Sequence, residues 1–164
     1  MKLIKAPDEF LEKQVKEFDF STMDPSEISK NMIDLMYKYK GIGLAANQVG
    51  VDAQIFVMGE KDPMTVINPI VTEVGTEKIE MEEGCLSFPG LYMKVSRPSV
   101  VSVQYLDIEQ KECIIKLEGF HARVFLHEYD HLQGITFDQR VSKLRLDMAK
   151  KKQQKILKAF NGWT

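Results

Sequence analysis

Between Asp24 and Tyr39 apolar residues recur with a helical period, and Ile28, Met32, Leu35, Met36 and Tyr39 share one face. Asp24 can cap this segment, Pro25 suits its first turn, and Glu27 completes a capping box. The pattern predicts a helix over 24–40, ended by Gly41. The period then shortens. Residues 53–58 and 64–67 read as strands, Asn68-Pro69 reads as a break, and 70–82 should hold another strand or two. Val101, Val103 and Tyr105 alternate with Val100, Ser102 and Gln104, which predicts a strand over 99–106. Cys113, Ile115 and Leu117 then share one face of the next strand, so Cys113 reads as core. At 119 the helical period returns and predicts a helix over 119–133, with Gly134 as its stop. Phe120, Val124, His127 and His131 fall on one face of it. A last helix over 142–160, opened by Ser142, is basic: Lys143, Arg145, Lys150, Lys151, Lys152, Lys155 and Lys158 against the lone acid Asp147. Short strands, a central helix and a tail helix predict an α+β fold. Its antiparallel sheets should pack around the 119–133 helix, with the basic helix at the C-terminus.

Composition narrows the class without changing that picture. At 164 residues the chain is expected to be one domain, 1–164, long enough to bury a core. Hydrophobic content of 44% and charged content of 28% are those of a globular protein. A net charge of −2 gives no reason to expect DNA binding. No apolar run approaches the length of a membrane span, so no membrane partner is expected. The start of the chain, Met-Lys-Leu-Ile-Lys-Ala-Pro, has no signal-peptide pattern, and no Arg- and Ser-rich leader is evident. Two cysteines in such a chain suggest a reducing cytoplasm and a thiol that ligates rather than crosslinks. A monomer is expected.

The segment His127-Glu-Tyr-Asp-His131 holds two of the three histidines. At i and i+4 on a helix they can aim two imidazoles at one metal, with Glu128 beside them to move a proton. The plain alternative is an amphipathic helix with two surface histidines. A third ligand six residues on would fall at Phe137, and no Glu follows Glu128. The third ligand therefore lies upstream or is Asp138 or Asp147. Cys85, preceded by Gly84, is the outstanding upstream candidate. His121, on a different face, is a poor one. The charge-free stretch Gly41-Ile-Gly-Leu-Ala-Ala-Asn-Gln-Val-Gly50 reads as a tight turn into a buried strand, or as a loop that lets a peptide backbone approach.

Three segments together resemble the peptide deformylase family. Gly41-Ile-Gly-Leu-Ala-Ala-Asn-Gln48 is similar to its Gly-x-Gly-x-Ala-Ala-x-Gln motif. Glu83-Gly-Cys-Leu-Ser87 matches Glu-Gly-Cys-Leu-Ser, and His127-Glu-Tyr-Asp-His131 matches His-Glu-x-Asp-His. They stand in family order, and the likeness extends to Pro7-Asp-Glu and Ile67-Asn-Pro69. Leu126, where many members have Gln, and the segment Phe88-Pro-Gly-Leu-Tyr92 depart from the commonest pattern.

The resemblance implies a cytoplasmic enzyme that removes the formyl group from N-formylmethionyl nascent peptides and releases formate. It implies one divalent metal on Cys85, His127 and His131, natively Fe(II), with Zn, Ni or Co as substitutes. Glu128 becomes the proton carrier. Gln48 and the backbone N–H of Leu86 become donors to the oxyanion. Phe120 and Val124 are candidates for one wall of the methionine pocket, with Ile42, Gly43 and Leu44 opposite. Glu83 and Arg97 are expected to brace the Cys85 loop. The basic tail helix is a candidate ribosome contact, through phosphate attraction. The rivals are another metallohydrolase such as a peptidase, a structural metal module, and a homologue that binds formylated peptides without cleaving them.

Overall fold

The computed structural model describes residues 1–161; residues 162–164, the end of the expected 1–164 domain, lie outside the described residues. Helix α1 (Pro25–Lys38) starts where Asp24 accepts hydrogen bonds from the Ser26 and Glu27 N–H groups, with Pro25 in the first turn. Strands β1 (Gly43–Ala45), β2 (Ile55–Met58), β3 (Met64–Val74), β6 (Val100–Leu106) and β7 (Glu112–Glu118) form an antiparallel sheet in the order β1-β2-β3-β6-β7. Strands β4 (Lys78–Cys85) and β5 (Phe88–Pro98) form a separate hairpin. Helix α2 (Gly119–Leu132) and helix α3 (Lys143–Asn161) complete an α+β fold.

β2 is apolar at every position because both faces of its sheet are covered. Ile55 and Val57 join Met32, Leu35 and Met36 of α1, whereas Phe56 and Met58 join Val124, Phe125 and Leu132 of α2. Phe56 meets Phe125 edge to face at 5.2 Å. Each such side chain, fully buried, contributes about 1.5–3 kcal/mol. A third cluster joins Leu91, Met93 and Val95 of β5 to Ala149 of α3 and Phe137. Cys113, Ile115 and Leu117 do share the half-buried face of β7.

Two strand expectations are corrected. Asn68-Pro69 does not end a strand. β3 runs through it, with register shifts on either side of Ile70, because Asn68 takes up a left-handed conformation (φ 49°). Its side chain is held by Phe18, accepting from the N–H at 2.7 Å and donating to the carbonyl at 3.2 Å. Strand β5 was not expected from the sequence. Its inward positions are Leu91, Met93, Val95 and Arg97, and a buried arginine in the fourth slot masks the alternation.

α2 ends as the sequence predicts, at Gly134 with φ 73°. A side chain there would also collide with the Glu12 carbonyl. That close approach lets the N-terminal segment bridge Gln133 from Gln14, fixing the end of the helix that carries the two histidines.

Candidate active site

α2 is buried along Val124, His127, Glu128 and His131, so those two histidines face inward, whereas His121 is exposed. The end of β4 brings Cys85 opposite them. Its Sγ lies 3.3 Å from His131 Nε2, and the ligand atoms of Cys85, His127 and His131 all lie within 4.8 Å of one another. Asp138 and Asp147, left open by the sequence, are not part of this group. A soft thiolate and two imidazoles suit Fe, Zn, Ni or Co, and three protein donors beside a cavity leave a position open.

Each donor is aimed by a neighbour. Glu83 Oε2 lies 2.9 Å from His127 Nδ1, which leaves Nε2 for the metal. Arg97 grips Glu83 with two bonds, 2.5 Å from Nε and 3.0 Å from Nη2, and its Nη1 reaches Asp130 at 2.8 Å. Arg123 donates to Glu83 at 2.6 Å and to the carbonyls of Val95 and Ile79. Arg140 closes the network with two bonds to Asp130, at 2.5 and 3.0 Å. Asn47 donates to the His131 carbonyl at 2.5 Å and so fastens the 46–49 turn to α2. Arg123, Asp130, Arg140 and Asn47 were not singled out from the sequence. Arg123 sits one turn before His127 on the helix, and an arginine among Ala122, Val124 and Phe125 is the signal that was there to read.

Electrostatics follow from burial. Burial pushes the Glu83 carboxyl up, but hydrogen bonds from His127 and Arg97 outweigh it and hold the group at about 2. Burial likewise opposes charge on His127, yet Cys85 and Glu83 raise the imidazole to about 10. Acidic surroundings that favour a proton there favour a metal cation in its place. Burial, then the nearby His127 charge, lowers His131 well below an ordinary histidine, which keeps it a neutral ligand. Glu128 is raised to about 7 by burial, and its Oε2 is buried without a partner. A buried carboxylate oxygen with no protein partner, on the residue that follows one of the donors, fits a proton carrier beside a bound ion. Gly43 lies so close that any side chain there would strike the Glu128 carboxylate.

Cys85, His127 and Glu128 line a cavity of about 670 Å³. Gln48 is buried on its wall. Its Oε1 accepts from the Ala45 N–H at 2.9 Å, which turns Nε2 toward Cys85 Sγ (3.4 Å) and Ser87 Oγ (3.1 Å). Leu86, Ile42, Gly43, Val124 and Phe120 also line the space, with Val124 buried and Phe120 half exposed at the rim. Leu44 does not line it, in contrast to expectation. The β1 alternation turns its side chain into the core with Met32 and Ile55.

Structural metal sites usually close with four protein ligands, whereas a site that keeps a position open beside a proton-carrying carboxylate belongs to the class of metal-dependent hydrolases. Comparison with known proteins sharpens the class. The Polypeptide deformylase family model matches residues 1–147. A peptide deformylase of Aquifex aeolicus is 42% identical over 160 residues, 93% of this chain and 94% of that one. A chloroplastic peptide deformylase of rice is 40% identical over 148 residues, and the chain spans 55% of that longer relative. The crystal structure of a Plasmodium falciparum peptide deformylase superposes with a TM-score of 0.87 at 34% identity, covering 98% of each chain. The chain belongs to the polypeptide deformylase family, metal-dependent hydrolases that remove the N-terminal formyl group of nascent peptides.

Removing Arg97 leaves Glu83 and Asp130 short of a buried counter-charge. Arg97→Met should therefore destabilise the metal-free protein by about 3 kcal/mol in urea unfolding. A loss below about 1 kcal/mol, the value of an exposed pair, would mean the network does not hold the hairpin to α2.

Proposed function

We propose that this chain deformylates N-formylmethionyl peptides as one catalytic domain spanning 1–164, with Cys85, His127 and His131 holding a single divalent ion, natively Fe(II). The observation that carries the reading is the buried, unpartnered Glu128 oxygen on the cavity that Cys85 and His127 also line. Bound there, the ion would supply a Lewis acid and lower the pKa of water. The rest is the work of this chain's residues. Glu128 takes the proton of the attacking water at its free oxygen and passes it to the amine that leaves. Its carboxyl, raised to about 7 by burial, would be drawn lower by a divalent ion held on the three donors and so would be ionised and able to accept. Negative charge developing on the formyl oxygen is met by Gln48 Nε2 and by the Leu86 N–H in the turn between β4 and β5. Gln48 is pre-aimed, since the Ala45 N–H holds the other end of its amide.

The methionine side chain enters the apolar end of the cavity, between Val124 and Phe120 on one side and Ile42 and Gly43 on the other. Gly43 admits the peptide because it has no side chain to fill the space before Glu128. A small formyl group suits so crowded a reaction centre better than a bulkier acyl group, which favours deformylation over general peptidase activity.

The cytoplasm is the proposed location. No helix among the described residues is long and apolar enough to cross a membrane. A monomer acting on chains as they leave the ribosome fits the basic α3. Leu146 and Ala149 pack its inner face onto β5, which leaves Lys151, Lys155 and Lys158 on the outer face, free to meet RNA phosphates.

Wild-type protein loaded with Fe(II) without oxygen should release formate rapidly from formyl-Met-Ala. Glu128→Gln should slow release by about a thousandfold and Gln48→Ala by about a hundredfold. Acetyl-Met-Ala should be a far poorer substrate. Glu128→Gln at wild-type rate would remove the proton carrier from the scheme. Reversing Lys151, Lys155 and Lys158 to Glu should abolish salt-sensitive co-sedimentation with ribosomes. Sedimentation that survives the reversal would exclude α3 as the contact.

A further inference from the structure

The apolar stripe of α3 is longer than the surface that covers it. At its start, Leu146 and Ala149 lie against Leu91, Met93 and Val95. In the middle, Gln153 Nε2 donates to the Pro89 carbonyl at 3.0 Å, which seats the helix on the start of β5. The helical period carries the same stripe on through Ile156, Leu157 and Phe160. The cover thins there. Leu157 is 40% exposed and Phe160 74%, and all three side chains line the same cavity as Gln48, Cys85 and Glu128.

Two features of this surface need an explanation that packing does not supply. A soluble helix end normally turns polar where its cover ends, and here the sequence keeps three large apolar residues. The stripe also lies close over the start of β5: a Cβ at Gly90 would come within 3.6 Å of Gln153, Ile156 and Leu157. An apolar wall on a reaction cavity is suited to the part of a substrate that extends beyond the reacting group.

We propose that the last two turns of α3, through Ile156, Leu157 and Phe160, read the nascent peptide downstream of its formyl-methionine and select for apolar side chains there. The inference rests on the deformylase reading of the same cavity. The formyl end is fixed at Cys85, His127 and Glu128, so the chain leaves through the mouth, at about 3.3 Å per residue when extended. Within a few residues it runs beside α3. An apolar side chain placed there removes its own surface and that of Phe160 from water together, whereas a seryl side chain does not. The opposite, lysine-bearing face of α3 remains free while this happens, so reading the peptide and docking to a polyanion do not compete for one surface.

The test compares kcat/KM for formyl-Met-Ala-Leu-Leu-Ser and formyl-Met-Ala-Ser-Ser-Ser on the metal-loaded full chain. The wild type should favour the leucine peptide by about tenfold. Phe160→Ser and Leu157→Ser should each bring the ratio down toward one, chiefly through KM, and Phe160→Leu should restore most of it. Both positions are exposed, and a circular dichroism melt coincident with wild type confirms that the variants fold. A wild-type ratio near one, or a ratio that neither serine variant moves, overturns the proposal while leaving deformylation intact. A dimer in sedimentation that Phe160→Ser dissociates, with the ratio unmoved, would assign the stripe to a second copy of the chain and overturn it as well. No formate from either peptide would instead remove the deformylase reading, and this inference with it.

Discussion

Glu83 places a full negative charge in the seam between the β4–β5 hairpin and α2, where desolvation disfavours it strongly. It survives ionised only because Arg97, Arg123 and His127 all converge on it. Those partners come from β5 and from two turns of α2, so satisfying one carboxylate fixes the hairpin, the helix and the ring plane of His127 at once. Asp130 repeats the device one turn further on. It links Arg97 to Arg140 and so ties the segment leading into α3 to the same network. A buried network of this kind contributes specificity of arrangement as much as net stability, and here the arrangement is that of a metal site.

Strand periodicity does the rest. Glu83 and Cys85 are two residues apart on β4, so both point toward α2. His127 and His131 are one helical turn apart and both point back. The residue between the acid and the thiol must be small, because Tyr92 of the paired strand packs directly on Gly84. On the far side, the Ala45 backbone and Asn47 hold the 46–49 turn against α2, which presents Gln48 to the metal donors without a flexible side chain having to search for them. The rigidity matters for the chemistry proposed. A donor already aimed at the place where charge will develop needs no reorganisation at the moment of reaction.

Much of this was legible in the chain because its signals are local. The Asp24-Pro25 start of α1, the alternation of β6, the Gly134 stop and the i, i+4 histidines each depend on residues close in sequence. The α+β class and the segment motifs followed from them. What stayed hidden depends on partners far along the chain. β5 carries Arg97 and a left-handed Gly90 where a plain strand would not, and only the buried Glu83 and Asp130 make the arginine sensible. Asn68-Pro69 resembles a strand break because the bond from Asn68 to Phe18, which stabilises the bulge, spans 50 residues. Leu44 reads as a pocket residue with Ile42 and Gly43, but neighbouring residues on a strand face opposite ways, and its side chain joins the core. Lysines advertise the outer face of α3; the inner stripe acquires its meaning only when the hairpin is seen to end before it does.

The central claim is that Cys85, His127 and His131 together bind one ion and leave a position open to substrate. The most direct measurement is a titration of the metal-free protein with Co(II), followed by its visible and near-ultraviolet absorption. The account predicts one Co(II) per chain with four-coordinate d–d bands and a thiolate-to-metal charge-transfer band. The charge-transfer band should vanish in Cys85→Ser, and formate should perturb the d–d bands by entering the open position. A thiolate band that persists in Cys85→Ser, or a wild-type spectrum that shows no thiolate ligation at all, would contradict it.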